Sequence, residues 1–215
     1  MKREFSFENV SGLHLELTTK CNAMCPMCNR NFKGKIRGNL PMLELTLADV
    51  KKILPPSFVK QLKLVSLCGV YGEPICAKDL KLIIKYFYEC NKDIDIDLYT
   101  NGGLYDTDWW KDLANIMKKN KGIVIFGIDG IGETHSLHRC NTDYNKVMEN
   151  AKAYIENGGN AGWDFIVFKH NEEQVEKAIK LSKEIGFNKF QIKKTSRFFK
   201  NLYEKDEMLE STNAD

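Results

Sequence analysis

The chain has 215 residues, 43% hydrophobic and 28% charged, with 32 basic against 29 acidic side chains and a formal net charge of +3. This mixture suits one well-buried domain and excludes wholesale disorder, collagen-like repeats and coiled coils. No apolar run approaches the roughly 20 residues of a membrane span, and none follows the charged N-terminus as a secretory signal requires, so the expectation is a soluble cytoplasmic protein with no membrane partner.

The elements alternate. A strand is expected over Leu13–Leu17, placing His14 and Glu16 on one face. A helix from Thr46 to Leu54 follows, opened by a Thr46/Asp49 capping box and stopped by Pro55 and Pro56. Next come a strand over Leu62–Leu67, a helix from Leu80 to Cys90 capped by Asp79, and a strand over Ile94–Tyr99. A helix from Trp109 to Lys119 precedes a dense apolar strand over Ile123–Gly127. A helix from Thr142 to Asn157, ended by Gly158 and Gly159, leads to a strand over Trp163–Phe168. Asn171 then caps a helix, with Gln174 reaching back and Gly186 closing it, before a last strand over Phe190–Lys194. Six strands separated by five helices form the βα alternation of a parallel sheet, whose chemistry belongs in the loops after the strands' carboxyl ends. The last twelve residues, from Glu204, hold five acids against Lys205. The mild positive excess elsewhere suits an anionic cofactor or substrate; a nucleic acid recruits a denser basic stripe and is not indicated.

Seven cysteines, an odd number, argue against a disulfide framework and toward metal or redox chemistry. Three of them, Cys21, Cys25 and Cys28, stand at C-x3-C-x2-C directly after the first strand. Thiolates suit iron–sulfur clusters and zinc. Three ligands so close together can hold three corners of a 4Fe–4S cube and leave the fourth iron open to an exogenous ligand. The alternatives are a zinc site completed by Cys68, Cys76 or His14, and a coincidental group of thiols. Cys68, Cys76, Cys90 and Cys140 otherwise read as plain thiols.

At this loop the chain resembles the radical S-adenosylmethionine (SAM) superfamily, and the resemblance runs from about Leu13 to Arg197. It implies a partial (β/α)6 parallel barrel with the last helix short or missing. It also implies a 4Fe–4S cluster on Cys21, Cys25 and Cys28, with SAM on the open iron. After the second strand Gly72-Glu73-Pro74 matches most of the family's Gly-Gly-Glu-Pro, which meets the SAM amino group; Tyr71 replaces the first glycine. Thr100-Asn101-Gly102 matches the family's Thr-Asn-Gly, and an ordinary Asn-Gly turn is the equal alternative. Ile128-Asp129-Gly130, followed by His135 and Arg139, resembles the Ser-x-Asp-Gly segment, with Gly127 for the serine. Asp129 is then a candidate to orient the loop or the ribose, and Arg139 to pair with the SAM carboxylate; His135 reads equally as a loop hydrogen-bonder. Lys193 and Arg197 are expected to share a face and favour an anion, with Arg197 a candidate SAM contact.

The implied activity is reductive cleavage of SAM to a 5′-deoxyadenosyl radical that takes hydrogen from a substrate in the barrel. A low-potential donor, a flavodoxin or ferredoxin, is the implied partner. Two phrases, Trp163 to Gln174 and Ile192 to Phe198, resemble the branch that carries a C-terminal SPASM domain and modifies peptides or proteins; that extension is absent from this sequence. Residues 1–200 read as the core domain and 201–215 as an acidic polar tail, so the chain is either a minimal enzyme or a truncated core. The competing functions are a non-catalytic zinc- or cluster-binding module and an inactive core, the latter motivated by Tyr71 and Gly127.

Overall fold

A computed structural model describes residues 6–32, 35–118 and 121–195. Its frame is a six-stranded parallel sheet built in chain order: β1 (Gly12–Leu15), β4 (Leu64–Leu67), β5 (Asp95–Thr100), β6 (Ile123–Gly127), β7 (Ala161–Ile166) and β8 (Lys189–Lys193). Between the first two strands a two-stranded antiparallel hairpin pairs β2 (Asn31–Phe32) with β3 (Lys35–Ile36). The helices are α1 (Leu47–Ile53), α2 (Pro56–Gln61), α3 (Leu80–Cys90), α4 (Thr107–Met117), α5 (Thr134–His138), α6 (Tyr144–Glu156) and α7 (Val175–Ile185).

Strand alternation sorts the side chains. Val65 and Leu67, Ile96 and Leu98, Val124 and Phe126, and Trp163 and Phe165 point one way, where they are buried with Ile83, Phe87, Trp110 and Tyr154 of the helices in one apolar core. The opposite face carries Tyr99, Ile125, Gly127, Asp164 and Lys193, which line a cavity of about 460 Å³ together with the loop after β1. In a flat sheet the first and last of six strands would stand roughly 24 Å apart. The shared cavity therefore requires the sheet to curl into an open barrel, as the family resemblance implies.

Several local readings need correction. Pro56 does not only stop the preceding helix: it opens the short α2, because a proline suits the first helical position. Asp79 stands at the N-cap of α3, but its carboxylate makes no cap bond there and accepts instead from Leu47 N of α1 at 2.8 Å. Gln174 does not reach back to Asn171. Its Oε1 accepts from Ile131 N and Thr134 Oγ1, both at 2.8 Å, and a short 3-10 turn over Glu172–Gln174 precedes α7. Thr142 lies before α6, whose cap is Asp143, accepting from Lys146 N at 2.7 Å. The Thr46/Asp49 capping box forms as read. Arg197, the tail over 201–215 and any helix after β8 lie outside the described residues.

Candidate active site

The loop from Thr18 to Arg30 folds around its own backbone. Cys28 N donates to Cys25 O at 3.2 Å, and Asn31 N to Cys28 O at 3.0 Å. The buried Arg30 runs inward, its Nε donating to Thr19 O at 3.0 Å, and Asn31 Nδ2 donates to Cys25 O at 3.0 Å. Cys21, Cys25 and Cys28 all line the cavity. Burial pushes the Cys21 thiol up to about 12, with Glu73 adding to it, and the Cys25 thiol up to about 11 against the pull of Arg139. Loading a metal on these sulfurs therefore displaces protons. Among the described residues no three His, Cys, Asp or Glu side chains converge closely enough to hold one metal ion. Three soft donors spread over one cavity wall fit a polynuclear cluster better than a single zinc. His14, suggested as a zinc ligand, instead donates from Nε2 to Cys68 O at 2.8 Å.

The loop after β4 packs backbone to backbone against the start of the cysteine loop. A Cβ on Gly72 would run into the Thr18 carbonyl oxygen, so only glycine passes there. Glu73 N donates to Lys20 O at 2.8 Å. Tyr71 sits outside this contact, 41% exposed and without positive φ, its N–H donating to Glu16 Oε2 at 3.2 Å. The tyrosine that replaces the family's first glycine thus strains nothing. Glu73 is buried; its Oε2 accepts from Asn101 N at 2.8 Å and its Oε1 from Ile75 N at 3.5 Å. Burial pushes this carboxyl up to about 7, even though those donors, Thr100 and Arg139 pull it down. Pro74 opens the turn behind it.

Thr100 and Asn101 end β5 at the same cavity. Asn101 Nδ2 donates to Asn22 Oδ1 at 2.9 Å, linking this turn to the cysteine loop. Thr100 and Asn101 therefore line the site, and their side chains also brace the chain that leaves it, Thr100 Oγ1 accepting from Gly102 N at 3.0 Å and Asn101 Oδ1 from Gly103 N at 2.9 Å.

Asp129, fully buried, follows β6. Its Oδ1 accepts from Ile166 N at 2.7 Å, and its Oδ2 from Arg139 Nε at 2.6 Å and His138 Nδ1 at 2.8 Å. Burial alone would raise its pKa, yet Arg139 and His138 hold it well below the usual carboxylate range. Asp129 is thus spent on positioning, and of its two suggested roles the geometry favours orienting the loop. The Arg139 side chain is 19% exposed and lines the cavity. A Cβ on Gly127 would lie 2.5 Å from Arg139 Nη2, so the absent serine side chain is what gives the guanidinium room. His135 is buried, bonds Thr142 Oγ1 at 2.9 Å through Nε2, and is pushed down to about 4 mainly by burial; it is the loop hydrogen-bonder of the two readings.

Lys193 lines the cavity, but its ammonium pairs with Asp164 and lies 5.6 Å from the Tyr99 ring centre. Sequence reasoning missed Asp164, Tyr99 and His138. Asp164 and Tyr99 follow from alternation within strands already recognised, whereas nothing local marks His138 as a partner of Asp129.

Comparison with known proteins bears on this arrangement. The family model described as the radical SAM superfamily matches residues 15–182. A relative named probable GTP 3',8-cyclase from Saccharolobus solfataricus is 27% identical over 194 residues, covering 85% of this chain and 56% of its own. SuiB of Streptococcus suis, solved bound to the precursor peptide SuiA, superposes with a TM-score of 0.68 at 18% identity, over 86% of this chain and 39% of that one. The enzyme anSMEcpe, solved with bound AdoMet, gives 0.66 at 22% identity, over 86% and 51%. These two likenesses show the shared fold, and the chain spans little more than half, or less, of each relative's length. With the match covering most of its length, this chain belongs to the radical SAM superfamily, whose cofactors are a 4Fe–4S cluster and SAM.

Proposed function

We propose that this protein is a radical SAM enzyme, with Cys21, Cys25 and Cys28 ligating the 4Fe–4S cluster, Gly72, Glu73, Pro74, Thr100, Asn101 and Arg139 forming the wall that receives SAM, and Asp129 holding Arg139 in place behind that wall. The observation that carries this reading is the convergence on one cavity of the three thiols, the buried Glu73 carboxylate and the Arg139 guanidinium. Cluster and SAM together supply one-electron cleavage of a carbon–sulfur bond and, with it, hydrogen-atom abstraction from a substrate.

The chain's own residues supply placement. Glu73 offers an anionic oxygen to an ammonium group. Arg139, anchored through Nε on Asp129, offers its outer nitrogens to a carboxylate. An amino acid head carries both of the charges that these two side chains complement. Farther along the wall the Asp164–Lys193 pair and Tyr99 suit a polar, charged substrate. Peptide modification, the substrate class implied by the sequence resemblance, is supported by the precursor peptide held by SuiB, and a nucleotide by the cyclase names of the curated relatives.

Anaerobic reconstitution tests the ligand set. Alanine at any one of Cys21, Cys25 or Cys28 is expected to remove most of the roughly four irons and four sulfides bound per chain, whereas Cys90→Ala binds them normally. Equal retention in all variants, or tight stoichiometric zinc in place of iron, would overturn the assignment.

A further inference from the structure

A second, smaller apolar cluster stands apart from the main core among the described residues: the buried Met27 and Phe168, with Ile166 packed against them. Met27 and Ile166 line the cavity and Phe168 does not, so its ring backs the wall they form. In sequence Met27 lies between Cys25 and Cys28. Two histidines pack on the Phe168 ring, His170 stacked at 5.3 Å and His138 tilted at 4.6 Å between ring centres. The backbone of Phe168 is fixed too: its N donates to Asn171 Oδ1 at 2.7 Å, and Asn171 Nδ2 donates to Asp129 O at 3.1 Å. His138 reaches Asp129 as well, its Nδ1 donating at 2.8 Å to Oδ2, the oxygen that also anchors Arg139. Cys21 is held separately, with Ala23 N donating to its Sγ at 3.3 Å and the neighbouring Asn22 tied to Asn101.

We infer that His138 and Phe168 are positioning residues, a buried stack that holds the Arg139 guanidinium and the Cys25 and Cys28 thiols in one fixed arrangement. The inference rests on the ligand assignment proposed above. The imidazole nitrogen holds Asp129, and through it the guanidinium. The imidazole ring packs on Phe168, and Phe168 seats Met27. Cys28 follows Met27 directly and Cys25 precedes it by two residues, so a loosened Met27 side chain frees both sulfurs. A close-packed interior passes such a displacement on because it has no void to absorb it, and aromatic rings at these separations add to the stabilisation their buried area gives. The bond from Met24 N to Cys140 O, at 2.9 Å, docks the loop backbone on this side but fixes no side chain. Supporting contacts of this kind lock the rotamers on which a binding constellation depends.

The test reads the thiols in the cluster-free, reduced protein as the rate at which iodoacetamide alkylates each cysteine, resolved by mass spectrometry. Phe168→Ala is expected to speed alkylation of Cys25 and Cys28 about tenfold through local opening, with Cys21 and Cys90 within about twofold of the unaltered rate. Phe168→Leu, which keeps much of the volume, should show the same pattern at smaller size. Two changes at His138 divide its tasks, read by the same alkylation and by calorimetric titration of SAM into the reconstituted protein. His138→Phe keeps a ring against Phe168 and loses the bond to Asp129, so it should weaken SAM binding about tenfold and leave the thiol rates unchanged. His138→Gln keeps a donor for Asp129 and loses the ring, so it should speed Cys25 and Cys28 while SAM binds within about threefold of normal. Equal acceleration at every cysteine would mean a loosened fold, and unchanged rates at Cys25 and Cys28 in both Phe168 variants would mean that Met27 needs no seat; either result overturns the proposal. So would normal SAM affinity in His138→Phe. Failure of the unaltered protein to take up iron or to bind SAM would defeat the ligand assignment itself, and the proposal with it.

Discussion

Glu73 carries the sharpest chemical signature of any single residue here. Its carboxyl is moved by burial from 4.5 to about 7, so between those values the folded protein holds a proton that the unfolded chain has released. The stabilisation from this group is therefore full below pH 4.5 and is lost as the pH rises toward 7. Glu73→Gln should flatten that part of the stability profile in thermal melts of the cluster-free protein. It should also weaken SAM binding about tenfold or more, the cost of losing a hydrogen bond to a charged group, as read by calorimetric titration of the reconstituted protein. An unchanged slope together with unchanged SAM affinity would show that the carboxylate serves only the turn. The sequence made Glu73 and the three cysteines legible because spacing on a short segment is local information. It left His138 and the spending of Asp129 illegible, because those bonds depend on how α5 folds back over the end of β6.

At the scale of elements, β6 shows how a departure from a family pattern is absorbed. Strand end and helix end are fitted to each other: Gly127 lacks a side chain where the guanidinium of Arg139, just past α5, lies against it, and Asp129 fixes that guanidinium from two residues on. Restoring a hydroxyl by Gly127→Ser should overpack this contact and destabilise the protein by about 1–3 kcal/mol, measurable by urea unfolding, with weaker SAM binding as Arg139 shifts. Unaltered stability would mean that the guanidinium has other room to occupy. The same scale explains the misread caps. Asp79 and Gln174 stand where helix-capping rules expect them, but their side chains bond to Leu47 and to the Ile131–Thr134 turn. A capping rule sees one helix at a time, and these residues join two. The hairpin and the short α2 and α5 were passed over because too few residues carry a periodic signal in them.

For the whole molecule, the order of strands decides what can meet. Six parallel strands in chain order place every carboxyl end at one rim, and curling brings the loop after β1 to the same cavity as Lys193 of β8. The parallel strands and their common rim were legible from the alternation of strands and helices, and the curling only from the family resemblance. The polar inner wall was legible only in part, since its Asp164–Lys193 pair joins neighbouring strands whose register no single segment reveals. The helix side of the sheet is apolar, while the cavity mixes apolar side chains such as Met27, Ile125 and Ile166 with the thiols and charged groups.

The central claim is that three protein sulfurs leave one iron for SAM. Its most direct test is the electron paramagnetic resonance spectrum of the reduced, reconstituted protein before and after addition of SAM. The account predicts a 4Fe–4S signal that SAM alters in the unaltered protein and that is absent from Cys25→Ala. A cluster signal that SAM leaves unchanged would contradict it.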